Sequence, residues 1–169
     1  MIQTVLSRTG WFVLLFFLQI LVFNHIHLFG YATPMPYVYF ILLLPSSTPR
    51  WASITLGFAL GLLVDIFTNT PGMAAAALCL TGLVSQPLLN LFAPRDREDD
   101  AILPSVATMK WTGFMKYAVC LTVLHCTTFF VIEFFTIRNW QDLLPYIAGS
   151  AALTLLFIAA FEMLRSRRS

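Results

Sequence analysis

The clearest candidate for chemistry in this sequence is a carboxylate inside an apolar run. In "GFALGLLVDIFTNTPG", residues 57–72, Gly57, Gly61 and Asp65 recur every four residues and therefore lie along one face of a helix. Glycines at this spacing allow a second helix to approach closely. A carboxylate at bilayer depth costs roughly 3 kcal/mol on insertion scales, so Asp65 should turn inward and find polar partners. The pattern predicts a close contact between two helices, which the polar interactions of this carboxylate stabilise.

Other polar residues are expected at a similar depth. At about 1.5 Å per residue, Asp65 lies roughly 21 Å along its helix, in the outer half of a membrane. The same count brings Asn24, His25 and His27 to a similar level on an earlier helix. On a later helix it places His125 near mid-depth and Glu133 near the outer boundary. Three interpretations stay open: polar contacts between helices, a proton or ligand site, and histidines among lipid headgroups.

The residues after Asp65 predict a tight turn. Pro71 and Gly72 follow a polar run, and proline favours the first turn of the next helix. An ordinary hairpin between two helices explains this turn without a binding role. Gln19 and Gln86 are expected to hydrogen-bond across helices, and Glu162 is expected to pair with a nearby arginine.

Sequence motifs for catalysis are absent. The chain has no glycine-rich phosphate loop, no HExxH and no Ser/His/Asp grouping, and its three cysteines lie at irregular spacing in apolar runs. The sequence therefore predicts a non-enzymatic protein without a cofactor or metal.

Composition indicates what surrounds these residues. Of 169 residues, 59% are hydrophobic and 11% are charged, whereas soluble domains carry about 25% charged residues. A net charge of +2 without a basic cluster does not favour nucleic-acid binding. The sequence predicts an all-α, polytopic membrane protein with a single integral membrane domain over residues 1–169.

Six segments are apolar enough to be predicted as membrane spans. The second is short and proline-rich, and is expected to be a thin, tilted span or a re-entrant segment. With six crossings and both termini cytoplasmic, nine of the ten basic residues lie on the cytoplasmic side, as the positive-inside rule requires. The predicted spans are 10–29, 31–45, 51–67, 72–92, 113–135 and 143–164, with a cytoplasmic loop over 93–110.

The third span and its turn carry a family resemblance. "GFALGLLVDIFTNTPGMAAAAL", residues 57–78, resembles the central signature of the rod-shape-determining MreD family, and "PYVYFILLLP" resembles its second span. The matching residues are Gly57, Gly61, Asp65, Pro71 and Gly72. One departure is Tyr37, where many members of that family have an acidic residue.

The resemblance implies a six-helix bundle similar to the substrate-binding subunits of energy-coupling-factor transporters. It also implies a scaffold of the bacterial elongation complex in the cytoplasmic (inner) membrane, supporting cell shape and peptidoglycan synthesis. The implied partner is MreC and, through it, MreB, the glycosyltransferase RodA and a class B penicillin-binding transpeptidase. The matching residues are implied to serve packing and partner contact.

Two other functions stay open. A small-molecule binding or transport subunit would use an outer pocket of His25, Asp65, His125 and Glu133. A lipid-modifying enzyme would need catalytic residues at headgroup level, where the sequence offers Glu133, Arg138 and Asp142.

Overall fold

The computed structural model describes residues 2–23, 32–93, 102–134 and 140–166, with side chains described from residue 9 in the first range and from residue 143 in the last. The described part of the chain is all-helical, without β-strands. Its elements are α1 (Ile2–Leu21), a 3-10 helix (Pro36–Val38), α2 (Tyr39–Leu42), α3 (Arg50–Thr68), α4 (Met73–Phe92), α5 (Val106–Phe134) and α6 (Trp140–Ser166).

Among the described residues, four helices are long and apolar enough to cross a membrane: α3, α4, α5 and the Leu143–Ser166 part of α6. The apolar part of α1, Thr9–Leu21, is shorter. Large hydrophobic side chains such as Phe58, Ile66, Leu91 and Leu156 are exposed on the outside of the protein, as expected where lipid replaces water. The protein is therefore a multi-pass membrane protein.

The second predicted span differs most from a membrane helix. Residues 32–45 contain one 3-10 turn and one α-helical turn, and the remaining residues are not helical. Pro34, Pro36 and Pro45 each lack a backbone N–H and restrict the backbone, which prevents a continuous helix. We call residues 32–45 the central segment, because all of them except Thr33 and Leu43 are buried.

The long helices surround the central segment. Along the chain, α3 packs on α4, α4 on α5 and α5 on α6, while the central segment contacts α1, α4 and α6. Edge-to-face aromatic pairs join α1 to its neighbours on both sides: Phe16 meets Phe67 of α3, and Trp11 meets Phe161 of α6. The core consists of the central segment and the inner faces of these helices.

Several helix ends differ from the predicted spans. α1 begins well before residue 10, and the end of the first predicted span, 24–29, lies outside the described residues. α5 begins at Val106, so the last five residues of the predicted loop 93–110 belong to this helix or to a break in it. Residues 94–101 of the same loop lie outside the described residues. That break is at Lys110, which has φ 59° and ψ 161°. α3 and α4 lie within one residue of their predicted ends.

Candidate functional site

Asp65 lies near the end of α3, and its carboxylate caps the start of α4. Its Oδ1 accepts hydrogen bonds from Ala74 N (2.9 Å) and Thr70 Oγ1 (2.7 Å), and its Oδ2 accepts one from Ala75 N (2.9 Å). The first N–H groups of a helix have no partner within the helix, and the helix dipole favours a negative charge there. Asp65 is only 4% exposed. Its charge is therefore stabilised inside the protein by the next helix along the chain.

The turn between α3 and α4 gives this carboxylate its geometry. α3 ends at Asn69, which adopts the left-handed conformation (φ 56°), and α4 is preceded by Gly72 (φ 78°), so the chain reverses within a few residues. Thr68 and Thr70 join their hydroxyls at 2.6 Å beside the carboxylate. Pro71 and Gly72 are exposed. Their contribution is the backbone turn that brings the first N–H groups of α4 back to Asp65.

The two glycines of the motif lie where α3 and α4 touch. A Cβ on Gly57 would be 2.8 Å from the backbone oxygen of Leu78, and one on Gly61 would be 2.5 Å from Ala75 Cα. On the opposite helix, a Cβ on Gly82 would be 2.8 Å from the backbone oxygen of Ser53. The glycine face of α3 is therefore in backbone contact with α4 of the same chain.

His125 forms a second buried polar group. Its Nε2 lies 3.0 Å from Tyr37 Oη of the central segment, and its Nδ1 lies 3.5 Å from Thr81 Oγ1 of α4. Since the Thr81 hydroxyl already donates to Ala77 O (2.7 Å), it accepts from Nδ1, which leaves Nε2 to accept from the tyrosine. Both His125 and Tyr37 are at most 2% exposed. These bonds join α4, α5 and the central segment.

Glu162 forms a third polar group, beside Tyr39 in the middle of the central segment. Its Oε2 accepts from Tyr39 Oη (2.7 Å), and its Oε1 accepts from Val106 N (2.9 Å) and Arg165 Nη2 (3.0 Å). Arg165 also donates to Pro104 O (2.7 Å). The predicted pairing of Glu162 with an arginine is confirmed. Like Asp65, this carboxylate accepts a hydrogen bond from the first turn of a helix, here α5.

Side chains of the surrounding helices satisfy the backbone of the central segment. Gln19 donates to Pro34 O (3.4 Å) and Gln86 donates to Pro45 O (3.1 Å). Both amides bond outside their own helix as predicted, but their partners are non-helical residues of the central segment and not another helix. Ser150 and Thr154 of α6 accept from Thr33 N (3.0 Å) and Met35 N (2.9 Å). These bonds replace the ones that a continuous helix would have made within itself.

The structure describes three residues of the predicted polar cluster: Asp65, His125 and Glu133. Asn24 and His25 lie outside the described residues. Glu133 is exposed near the end of α5. Asp65 takes its hydrogen bonds from its own turn and from α4, whereas His125 bonds to Tyr37 and Thr81. Sequence reasoning missed the tyrosines of the central segment and the small polar residues of α6. The signal was present in "PYVY", which has two tyrosines two residues apart between prolines.

The polar side chains of this arrangement are engaged in hydrogen bonds within the protein. Both oxygens of Asp65 and of Glu162 are hydrogen-bonded to protein donors. Within the described ranges, no group of three His, Cys, Asp or Glu side chains is arranged to hold a metal ion. The three polar groups join elements that sequence alone leaves separate, and they fix the α3–α4 pair and the central segment in one arrangement.

No protein-family model, curated protein or solved structure matches this chain.

Proposed function

We propose that this protein is a non-enzymatic membrane scaffold of the bacterial elongation complex, with the role that the MreD family has. The proposal rests on one observation: the residues that carry the resemblance lie together where α3 turns into α4 and packs against it. Gly57 and Gly61 bring two helix backbones together, and Asp65 binds the start of the second helix across the turn at Pro71 and Gly72. A scaffold needs rigid helix pairs of this kind and needs no active site.

In this proposal the protein lies in the bacterial inner membrane and binds MreC, and through it MreB, RodA and a class B penicillin-binding transpeptidase. Because the glycine face is occupied by α4 of the same chain, the motif would act on the partner indirectly. It would hold α3 so that the opposite, exposed face of that helix, with Phe58, Leu62 and Ile66, is presented to lipid or to a partner helix.

We also propose six crossings with both termini in the cytoplasm, forming a bundle like the substrate-binding subunits of energy-coupling-factor transporters. The central segment supports this count although most of it is not a membrane helix. Seven helical and seven more extended residues reach roughly 30 Å, which is the thickness of the hydrocarbon core. The side-chain bonds to Pro34, Met35 and Pro45 satisfy backbone groups that lipid could not.

Cysteine accessibility tests the topology. The native cysteines at 79, 120 and 126 are first replaced by alanine, and single cysteines are then introduced at the exposed residues Ser47 and Asn69. A membrane-impermeant thiol reagent added to intact spheroplasts should label the Asn69 variant, and should label the Ser47 variant only after the membrane is opened. Labelling of the Ser47 variant in intact spheroplasts would contradict six crossings with cytoplasmic termini.

Co-purification tests the scaffold function. The tagged full chain is expressed with MreC, and the amount of MreC recovered is compared for the wild type, Asp65→Ala and Asp65→Asn. The alanine variant should recover much less MreC and should give rounded cells, and the asparagine variant should be intermediate. Normal recovery and normal rod shape with Asp65→Ala would contradict the proposal.

The alternative, a binding or transport subunit with an outer pocket, has less support. It needs Asp65 and His125 side chains that are available to a ligand, whereas both are buried and hydrogen-bonded to protein groups. Native mass spectrometry distinguishes the two functions, because a transport subunit should retain a small molecule that is lost in Asp65→Ala.

A further inference from the structure

An open groove runs between the start of α5 and the end of α6. Its volume is about 600 Å³, which is within the range of about 300–1,000 Å³ typical of small-molecule sites. The surface is almost entirely apolar, and Trp111, Met163 and Leu164 are 39%, 54% and 63% exposed. The groove is lined by Val106, Trp111, Ala160, Glu162, Met163, Leu164 and Ser166.

Basic residues flank this groove. The exposed Lys110 directly precedes Trp111, Lys116 is exposed further along α5, and Arg165 lies between two groove residues with its side chain 25% exposed. The carboxylate in the lining, Glu162, is 1% exposed and already accepts hydrogen bonds from Tyr39, Val106 and Arg165. The groove lining is therefore mostly apolar, and Lys110 and Arg165 add positive charge directly beside the lining residues Trp111, Leu164 and Ser166.

We propose that this groove binds an anionic phospholipid. One acyl chain would lie along the apolar side chains of Trp111, Ala160 and Met163, and the phosphate would lie near Lys110. Two features select this occupant: the apolar lining of a groove in a membrane protein suits an acyl chain, and the positive charge of Lys110, which has no partner among the described residues, favours an anionic headgroup over a zwitterionic one. A basic pocket between membrane helices is the arrangement expected of such a site. The inference does not depend on the proposed role in cell elongation.

The experiment is native mass spectrometry of the full chain, purified in detergent and titrated with either phosphatidylglycerol or phosphatidylethanolamine. We expect more retained phosphatidylglycerol than phosphatidylethanolamine at equal concentrations. Lys110→Gln should reduce the ratio of the two about fivefold, the loss expected for one lysine at a membrane surface. Lys116→Gln, which leaves the groove lining intact, should reduce it less.

A second pair of variants tests the apolar part of the groove. Ala160→Phe fills the groove and should abolish the preference for phosphatidylglycerol, whereas Ala152→Phe, at an exposed alanine of α6 outside the groove, should not. Equal retention of both lipids by the wild type would overturn the proposal, and so would equal behaviour of the two phenylalanine variants. Where Ala160→Phe does not fold, a photo-crosslinking residue at Met163 decides. A crosslink to lipid supports the proposal, and a crosslink to a second polypeptide overturns it.

Discussion

Replacing Asp65 by alanine removes three hydrogen bonds, two of which join the end of α3 to the start of α4. Two of these bonds come from backbone N–H groups, Ala74 N and Ala75 N, each 2.9 Å from a carboxylate oxygen. Hydrogen bonds to a charged group contribute about 1.5–3 kcal/mol each. Since the N–H groups would be left without a partner in a buried site, we expect Asp65→Ala to lower the free energy of unfolding by roughly 3–6 kcal/mol.

Asp65→Asn removes the negative charge of the side chain and keeps its shape. One amide oxygen can still accept from Ala74 N and Thr70 Oγ1, but the amide NH₂ then faces Ala75 N, which is also a donor. The decrease in the free energy of unfolding should be about half of that in the alanine variant, roughly 1.5–3 kcal/mol, because one of the two hydrogen bonds from backbone N–H groups is lost.

Unfolding of the purified chain in detergent, followed by circular dichroism against temperature or added SDS, measures both variants. A matched control is Asn69→Gly in the same turn, where the native φ of 56° suits glycine and little stability should change. The order of stability should be wild type, then asparagine, then alanine. An alanine variant as stable as the wild type would refute the capping role, and the effect of Asp65 on any partner would then be direct.

Five further variants, two of them controls, test other parts of the fold. Gly61→Ala should cost about 1–3 kcal/mol because its Cβ would overlap the backbone of α4, whereas Gly10→Ala, with nothing within 4 Å, should be at least as stable as the wild type in the same unfolding assay. Tyr39→Phe should cost about 1–3 kcal/mol by removing a hydrogen bond to a buried carboxylate; Tyr117→Phe, whose buried hydroxyl has no partner among the described residues, should be neutral or stabilising. Lys110→Gly should raise the melting temperature, since a non-glycine residue at φ 59° and ψ 161° stores about 1–3 kcal/mol of strain.

The sequence was sufficient for the long helices that carry the motif. An apolar run between Pro49 and Asn69 predicts α3 almost to the residue, because proline favours a helix start and asparagine tolerates the left-handed conformation that ends a helix. The four-residue spacing of Gly57, Gly61 and Asp65 also predicts one inward face, and the side chain of Asp65 is buried.

The hydrogen-bond partners of Asp65 were not predictable by the reasoning that located it. Counting residues along each predicted span gives the depth of a side chain in the membrane. This depth suggests Asn24, His25 and His125 as partners of Asp65, because they lie on other spans at a comparable level. Two of the actual partners are nine and ten residues further along the chain and are backbone groups, which no residue type reveals, and the third is the Thr70 hydroxyl in the turn. A useful signal is a carboxylate one turn before a tight turn into a new helix, since that helix begins with unpaired N–H groups.

The central segment shows a second limit of sequence patterns. Its prolines predict an irregular backbone, but they do not show that the segment is buried inside the bundle. That position depends on side chains up to 123 residues away, because the backbone groups near Pro34 and Pro45 are satisfied by Gln19, Gln86 and α6, and Tyr39 is bound by Glu162. Single serines, threonines and glutamines in an apolar helix are compatible with many partners. They acquire a specific role only when a non-helical segment exposes N–H and C=O groups at a matching depth. These side chains and the central segment that they bind must therefore be understood together.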